Sequence, residues 1–181
     1  MRRYMIDLET LGLKHDAVIL SIGAVRFDSD GPIPGEELYI ELDTESQPEH
    51  RVDIDTLKWW MHQTSIGNPM PVHGKVKPHH ACFQLFDFLG IVEKEDEIWA
   101  NGINFDMPKL EHLITTQGCY LPWKYHQVRD LRTLSKLFPG IPCGVNEQKH
   151  NALCDARVQA QLAADILYSI TESPIIGRIQ S

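Results

Sequence analysis

The chain has 181 residues, of which 43% are hydrophobic and 23% charged, and its formal net charge is -8. This length predicts one domain with a sizeable core, and no apolar stretch approaches the roughly 20 residues of a membrane span. The acidic balance argues against a broad surface for polyanions but not against an enzyme whose acids hold divalent metal ions. Asp7 and Glu9 interrupt any signal peptide, and the four scattered cysteines fit reduced thiols, so we expect a cytoplasmic protein with no membrane partner.

Hydrophobic patterns predict three strands first and then alternating helices and strands. The predicted strands are residues 4–9, 18–27, 38–42, 98–100 and 123–128. The predicted helices are residues 53–63, 79–92, 104–114, 131–138 and 151–171. A short turn between the first two strands favours antiparallel pairing. We therefore expect an α/β fold: a mixed sheet of three antiparallel strands followed by parallel strands, with helices on both faces. The domain would span residues 1–173, with a C-terminal tail at 174–181.

Asp7 and Glu9 lie two residues apart at the end of the first predicted strand, so their side chains share one face of the sheet. Burying two like charges is costly unless a cation or a hydrogen-bond network compensates. A strand end that opens into solvent would make the same pair harmless. The two acids alone do not decide between these interpretations.

Two further acids and a histidine extend the pattern. Asp106 lies in the first turn of a predicted helix, where a carboxylate also offsets the helix dipole. Asp155 flanks the apolar stripe of the last helix between Leu153 and Ala156, so we expect it to be partly buried. His150 would point about 140° away from Asp155 if both were helical. We therefore place His150 on the preceding loop, approaching the site from the side.

Together these five residues resemble the catalytic set of the DEDDh, or DnaQ-like, family of 3′→5′ exonucleases. The three motifs of the resemblance are DLETLGL from Asp7, NGINFDMPKL from Asn101 and HNALCDA from His150. They occur in the family's order, and the resemblance covers about residues 4–167. Residues 57–63 and 129–133 are similar to features of the group that includes phage exonuclease A and the mycobacterial-type 3′→5′ exoribonucleases.

The resemblance implies a ribonuclease H-like fold and a two-metal-ion 3′→5′ exonuclease. Asp7 would bridge two Mg²⁺ or Mn²⁺ ions, Glu9 and Asp155 would join the nucleophile-side ion, and Asp106 would join the leaving-group ion. His150 would deprotonate the attacking water, for which an ordinary pKa of about 6.5 is suitable. Two divalent ions about 4 Å apart can activate water and stabilise a leaving oxygen, and carboxylates are the ligands that Mg²⁺ prefers.

The resemblance also implies contacts to the substrate. Thr10 and Leu11 would touch the terminal nucleotide through backbone groups and an apolar wedge between bases. Phe105 would line the same pocket or belong to the core. Arg129 and Arg132 would meet phosphates or pair with surface acids.

The substrate would be the 3′ end of single-stranded nucleic acid or a 3′ overhang, digested distributively to nucleoside 5′-monophosphates. The phage relatives favour DNA slightly, and an exoribonuclease with the same mechanism is the alternative. Trp59 lies off the apolar stripe of its helix, where it would stack on a base or, as we favour, pack or form an interface; with the apolar pair Ile175 and Ile176, it leaves a homodimer open.

Two other classes of function fit the sequence less well. A non-catalytic nucleic-acid-binding module on the same fold would not need all five catalytic residue types. A structural zinc domain is disfavoured because the histidines and cysteines show no zinc-ligand spacing along the chain.

Overall fold

A five-stranded sheet forms the centre of the computed structural model, which describes residues 1–146 and 148–171. The strands are β1 (Arg3–Thr10), β2 (Ile19–Asp28), β3 (Gly31–Glu41), β4 (Glu97–Ala100) and β5 (Val128–Asp130). The helices are α1 (Ile54–Ser65), α2 (Pro78–Leu89), α3 (Ile103–Thr116), α4 (Leu131–Leu137) and α5 (Ala152–Thr171). The predicted tail at 174–181, including the pair Ile175 and Ile176, lies outside the described residues, so the domain boundary stays a prediction.

The strand order is β3-β2-β1-β4-β5, with β1, β2 and β3 antiparallel and β4 and β5 parallel to β1. This arrangement confirms the predicted mixed sheet. The pairing of β1 with β4 ends at Met5 opposite Trp99, whereas β1 continues to Thr10. The carboxyl end of β1 therefore extends beyond its parallel neighbour and is open for a site.

Helices cover both faces of the sheet. Ile6 and Leu8 of β1 belong to the core cluster beneath α2 and α3, whereas Met5 belongs to the cluster beneath α4 and α5. Because side chains alternate along a strand, Asp7 and Glu9 share the face of Met5 and point toward α5. The alternation of one strand thus separates the acids from the larger apolar core.

The start of α5 lies unusually close to β2. A Cβ atom added to Gly23 would lie 2.2 Å from the carbonyl carbon of Ala152, so only glycine fits this crossing. Gly23 is also the residue of β2 that pairs with Asp7. The contact therefore places the first turn of α5, which contains Asp155, over the acidic end of β1.

Two predicted strands have different boundaries in the structure. β3 begins at Gly31 rather than at residue 38, because Asp28 and Gly31 pair in a tight hairpin in which Gly31 has a φ of 115°. Residues 125–127 form a 3-10 turn, and the fifth strand begins only at Val128. The side-chain amide of Gln127 donates to the carbonyls of Glu93 and Asp96, which fixes this turn instead of a strand pair.

Asp130 directly precedes α4 in the chain, but its side chain caps a different helix. Oδ1 of Asp130 accepts hydrogen bonds from the backbone N–H groups of Gly102 and Ile103, at 2.9 and 3.2 Å. These groups belong to the start of α3, so Asp130 of β5 caps α3 across the sheet edge. Within α4 its side chain accepts from Thr133, whose hydroxyl lies 2.5 Å from Oδ2.

The sequence predicts no membrane span and reduced cysteines. Among the residues that the structure describes, no helix is both long and apolar enough to cross a membrane. All four cysteines are free thiols.

Candidate active site

Three carboxylates converge at the open end of β1. One oxygen each of Asp7, Glu9 and Asp155 lies within 4.8 Å of the other two. Asp7 and Glu9 come from alternate positions of β1, and Asp155 comes from the first turn of α5. The fold therefore brings these three predicted acids together.

The carboxylate of Asp155 is held by groups from its own N-terminal loop. The backbone N–H of His150 donates to Oδ2 at 3.0 Å, and the side-chain amide of Asn146 donates to Oδ1 at 2.7 Å. Asn151 caps α5 by accepting from the N–H of Cys154. These contacts fix the orientation of Asp155 before any ligand binds.

Asp106 lies in the first turn of α3 and is only 3% exposed. It lies near the backbone of Leu8, in the part of β1 that extends beyond the pairing with β4. Asp106 is not within the tight group of three acids, but its charge raises the pKa of Asp7. The fourth predicted acid is thus close enough to Asp7 for its charge to act on that carboxyl, although it lies outside the tight group.

Burial and mutual repulsion raise the pKa values of these acids. The pKa of Glu9 rises to about 8, mainly by desolvation and then by the charges of Asp155 and Asp106. Desolvation raises the pKa of Asp106 to about 7, against opposing effects of Lys109 and Arg132. The pKa of Asp7 is raised well above its ordinary value by burial, Asp106 and Glu9.

A set of clustered carboxylates with raised pKa values fits hard divalent cations. Such ions take oxygen ligands and offset the repulsion that otherwise favours protonation. Asp7, Glu9 and Asp155 are close enough to share one ion, and the charge of Asp106 acts on Asp7. The donor set therefore fits the predicted metals.

Gln159 is a member of the site that the sequence analysis missed. Its side-chain amide donates to Oδ1 of Asp7 at 2.8 Å and lowers the pKa of that carboxyl against the burial effect. Its Oε1 is buried without a protein partner. Gln159 lies one helical turn after Asp155, so the i, i+4 spacing on α5 was a signal for this role.

His150 lies in the turn immediately before α5, as predicted, with a φ of 63°. Its ring packs edge-on against Trp59, with the ring centroids 4.7 Å apart, and lies near Trp60. A non-glycine residue at positive φ is uncommon and is retained where the surroundings hold it. Here the N–H bond to Asp155 and the Trp59 contact hold His150 at the rim of the acidic group.

An apolar cleft of about 450 Å³ adjoins the carboxylates. Its lining residues include Glu9, Thr10, Leu13, Trp59 and Phe105. Trp59 is 40% exposed and contacts both Trp60 and His150, so it forms a wall of this cleft. A ligand in this cleft would therefore contact aromatic side chains beside Glu9.

Lys109 is a second residue that the sequence analysis missed. It is 1% exposed, and its ammonium lies 3.2 Å from the centroid of the Phe105 ring. The ammonium donates to the carbonyls of Phe105 and Leu13, at 2.8 and 3.2 Å. Burial lowers the pKa of Lys109 to about 8, with Asp106 acting in the opposite direction. Lys109 thus ties the loop after β1 to α3, across the cleft.

Only some of the predicted substrate residues near β1 line the cleft. Thr10 and Phe105 line the cleft. Leu11 instead packs in the core with Trp60, and its N–H and carbonyl are bonded to Val18 and Asp53. Its burial at 7% exposure does not fit the predicted apolar wedge, whereas Leu13 is 69% exposed at the cleft.

The two predicted phosphate-binding arginines also have different surroundings. Arg129 pairs with Glu97 at 3.1 Å and donates to the carbonyls of His126 and Val128. Arg132 lies over Gly102, donates to the carbonyl of Asn101 and lowers the pKa of Asp106. Among the described residues Arg132 forms no ion pair, so its charge faces the Asp106 side of the site uncompensated.

Comparison with known proteins agrees with the family resemblance and with the fold. A family model described as the 3′-5′ exoribonuclease Rv2179c-like domain matches residues 2–167. An exodeoxyribonuclease of Enterobacteria phage T4 is 25% identical over 124 residues, which are 61% of this chain and 55% of the phage protein.

The structure is similar to those of two bacterial exonuclease I proteins. E. coli exonuclease I in complex with a dT13 oligonucleotide has a TM-score of 0.68 at 16% identity, covering 98% of this chain and 43% of that one. Exonuclease I from Methylocaldum szegediense has a TM-score of 0.66 at 16% identity, covering 99% of this chain and 42% of that one. This likeness confirms the ribonuclease H-like fold, and the chain spans less than half of each exonuclease I chain.

Proposed function

We propose, since the chain belongs to the family of Rv2179c-like 3′-5′ exoribonuclease domains, that it is a metal-dependent enzyme that removes nucleotides from the 3′ end of single-stranded nucleic acid. The observation that supports this most strongly is the convergence of Asp7, Glu9 and Asp155 beside an apolar cleft wide enough for a base. A binding module would have no use for three carboxylates brought together against their own repulsion.

The proposed metals are two Mg²⁺ or Mn²⁺ ions. Asp7, Glu9 and Asp155 would hold one, and Asp7 with Asp106 would hold the other. When bound, such a pair supplies an activated water and stabilisation of the charge on the leaving 3′ oxygen. The products would be nucleoside 5′-monophosphates.

The residues of the chain perform the remaining tasks. The ring of His150 would accept the proton of the attacking water, because the packing against Trp59 keeps the ring at the rim of the acidic group. Gln159 and Asn146 would keep Asp7 and Asp155 oriented with their charged oxygens available. Such positioning reduces the reorganisation required during the reaction.

The cleft would receive the terminal nucleotide. Its base would stack between Trp59 and Phe105, and the exposed side chain of Leu13 would take the wedge role predicted for Leu11. Arg132 is the better candidate for a phosphate, since Arg129 is already paired with Glu97. The hydroxyl of Thr10 already donates to the carbonyl of Gly12. Thr10 would therefore act as part of the cleft lining.

The nucleic-acid class is the open part of this proposal. The matching family is described as exoribonucleases, whereas the phage T4 relative is an exodeoxyribonuclease and exonuclease I has been crystallised with single-stranded DNA. The sequence-based preference for DNA was slight, so both classes are assayed together. A net charge of -8 favours distributive digestion of either class. The intracellular setting and the homodimer remain predictions from the sequence.

The test is hydrolysis of matched 5′-labelled DNA and RNA oligonucleotides in the presence of Mn²⁺ or Mg²⁺. We expect a ladder that shortens from the 3′ end, and loss of about 10²–10⁴-fold in rate for His150→Ala. Asp7→Asn should lose more, because Asp7 belongs to both proposed ion sites. Asp165→Asn and His79→Ala, at exposed positions, are the matched controls. Oligonucleotide binding with no hydrolysis by the wild type, or full activity of both site variants, would reject the proposal.

A further inference from the structure

Three histidines that are far apart in the sequence meet close to segments that line the cleft. His15 lies in the loop before β2, His50 in the segment before α1, and His112 on α3. The ring centroid of His112 is 5.2 Å from that of His15 and 5.0 Å from that of His50. This group, the histidine cluster, is separate from the carboxylates.

The histidine cluster contains an unusual concentration of unsatisfied polar atoms. Six buried side-chain nitrogen or oxygen atoms have no hydrogen-bond partner among the described residues. Three are ring nitrogens of this cluster: Nδ1 and Nε2 of His50 and Nε2 of His112. A fourth is Oδ1 of the neighbouring Asp16. Buried polar groups nearly always have a partner, so this concentration requires an explanation.

The ring spacing matches that of imidazoles on one tetrahedral ion. Zinc binds histidine nitrogen at about 2.0–2.1 Å, which places the centroids of two bound rings about 5 Å apart. The donor atoms do not yet converge, because in the described chain only Asp7, Glu9 and Asp155 have ligand atoms within 4.8 Å of one another. The rings would therefore have to turn, and the exposed His15, on a loop, is free to do so.

The electrostatic surroundings also suit a cation. Oδ2 of Asp16 pairs with Arg51 at 3.0 Å, while Oδ1 is buried without a partner, and the charge of Asp16 acts on the His50 ring. Burial, followed by the effect of His112, lowers the pKa of His50.

We propose that His15, His50 and His112 form a second metal site, for Zn²⁺ or a similar borderline divalent ion, with Asp16 or water completing the coordination. Imidazole ligands select such ions, whereas the carboxylates of the active site select Mg²⁺ or Mn²⁺. The inference uses none of the residues of the proposed catalytic site.

A metal ion at this position would stabilise the walls of the cleft. His15 is two residues from Leu13, His50 is three residues from Asp53, and His112 lies on the same helix as Phe105. Leu13, Asp53 and Phe105 all line the cleft. Two of these wall segments are already joined by backbone hydrogen bonds, such as that from Arg51 to Asp16, and coordination would tie both of them to α3 in addition to the Lys109 bridge. We expect the bound ion to raise the melting temperature of the whole domain.

The test uses Zn²⁺ and Co²⁺ alone as probes, on the full chain with Asp7→Asn in the background and excess Mg²⁺, so that the carboxylates do not take up the probe. We expect about one tightly bound Zn²⁺ and, with Co²⁺, the visible absorption typical of tetrahedral coordination. His112→Ala should abolish both, and His79→Ala, an exposed histidine outside the cluster, should change neither.

His15→Ala provides a variant that should fold normally, because His15 is exposed. It should weaken Zn²⁺ binding and reduce the rise in melting temperature on Zn²⁺ addition. The proposal is overturned if the wild-type cluster in this background binds no Zn²⁺, or if His112→Ala and His15→Ala both leave the stoichiometry and the absorption unchanged. Because the readouts are binding and spectra, either result is independent of whether the protein is an exonuclease.

Discussion

The side-chain amide of Gln159 donates a 2.8 Å hydrogen bond to Oδ1 of Asp7, joining α5 to the end of β1. The bond stabilises the charged form of Asp7 inside a group of acids whose pKa values are raised by burial. Because Asp155 lies one turn earlier on α5, one helix both supplies a carboxylate and orients another. Gln159 is therefore a positioning residue for the proposed metal site.

Replacing Gln159 by Leu should weaken the binding of the activating metal more than the binding of the nucleic acid. Without the amide, the pKa of Asp7 rises further and its orientation is lost, so the metal concentration for half-maximal activity should increase by about 10–100-fold. The measurement is a Mg²⁺ titration of hydrolysis, with the pH profile recorded in parallel. Gln161→Leu, at an exposed position of the same helix, should match the wild type; equal behaviour of both variants would contradict this role.

Gly23→Ala should displace the start of α5. The new Cβ would overlap the backbone of Ala152, and overpacking of this kind costs about 1–3 kcal/mol or more. The free energy of unfolding, measured in urea, should fall by that amount, and activity should fall further because Asp155 and His150 move with the helix start. Gly140→Ala is the control, since no atom lies within 4 Å of the added Cβ. A Gly23→Ala protein with wild-type stability and activity would show that this close contact is not required.

Trp59→Ala should impair substrate binding rather than the fold. Loss of a stacking aromatic costs about 1–3 kcal/mol per base, so KM for an oligonucleotide should rise by about 5- to 150-fold. The melting temperature should change little, because Trp59 is 40% exposed, whereas the neighbouring Trp60 is 1% exposed. Tyr120→Ala, at a residue that is 94% exposed and outside the cleft lining, should leave KM unchanged. A dimer interface at Trp59 would instead appear as a change in sedimentation with unaltered KM.

The stability of the metal-free protein should fall as the pH rises. Glu9 has an ordinary pKa of 4.5 and a pKa of about 8 in the folded protein, so the folded state holds its proton more tightly. Its contribution is therefore fully present below pH 4.5 and is lost as the pH rises through about 8.

Glu9→Gln isolates this effect. With a chelator present, the variant and the wild type should have similar free energies of unfolding near pH 4.5, and the variant should become more stable toward pH 8, by about 1.4 kcal/mol for each unit of pKa shift. Urea unfolding at several pH values provides the measurement. Adding Mg²⁺ at pH 8 should stabilise only the wild type strongly, since the ion replaces the lost proton. A difference between the two proteins that does not vary with pH would contradict the assigned pKa.

The sequence by itself determined the mixed sheet and the grouping of acids at the end of β1, whereas the catalytic roles of the five residues are predictions that rest on the family resemblance. Alternation along a strand puts Asp7 and Glu9 on one face whatever surrounds them, and Asp106 and Asp155 are fixed by their positions in the first turns of their helices. Local periodicity therefore placed these side chains on their elements, whereas their predicted catalytic roles came from the resemblance of the three motifs to the family. The same local rules could not decide whether Leu11 or Leu13 is available to contact the substrate. Both are apolar residues of a loop, and only packing shows which one is buried.

Only the tertiary structure decided which groups meet across the sheet. Asp130 caps α3 rather than α4, Gln159 reaches Asp7, and Gly23 admits the backbone of α5, because strand order and helix crossing bring distant segments within hydrogen-bond or contact distance. The histidine cluster has no signature along the chain for the same reason: its members come from three segments, and their proximity depends on how those segments pack. Linear spacing records neighbours on one element, whereas a site built from several elements is determined by the packing of the whole domain.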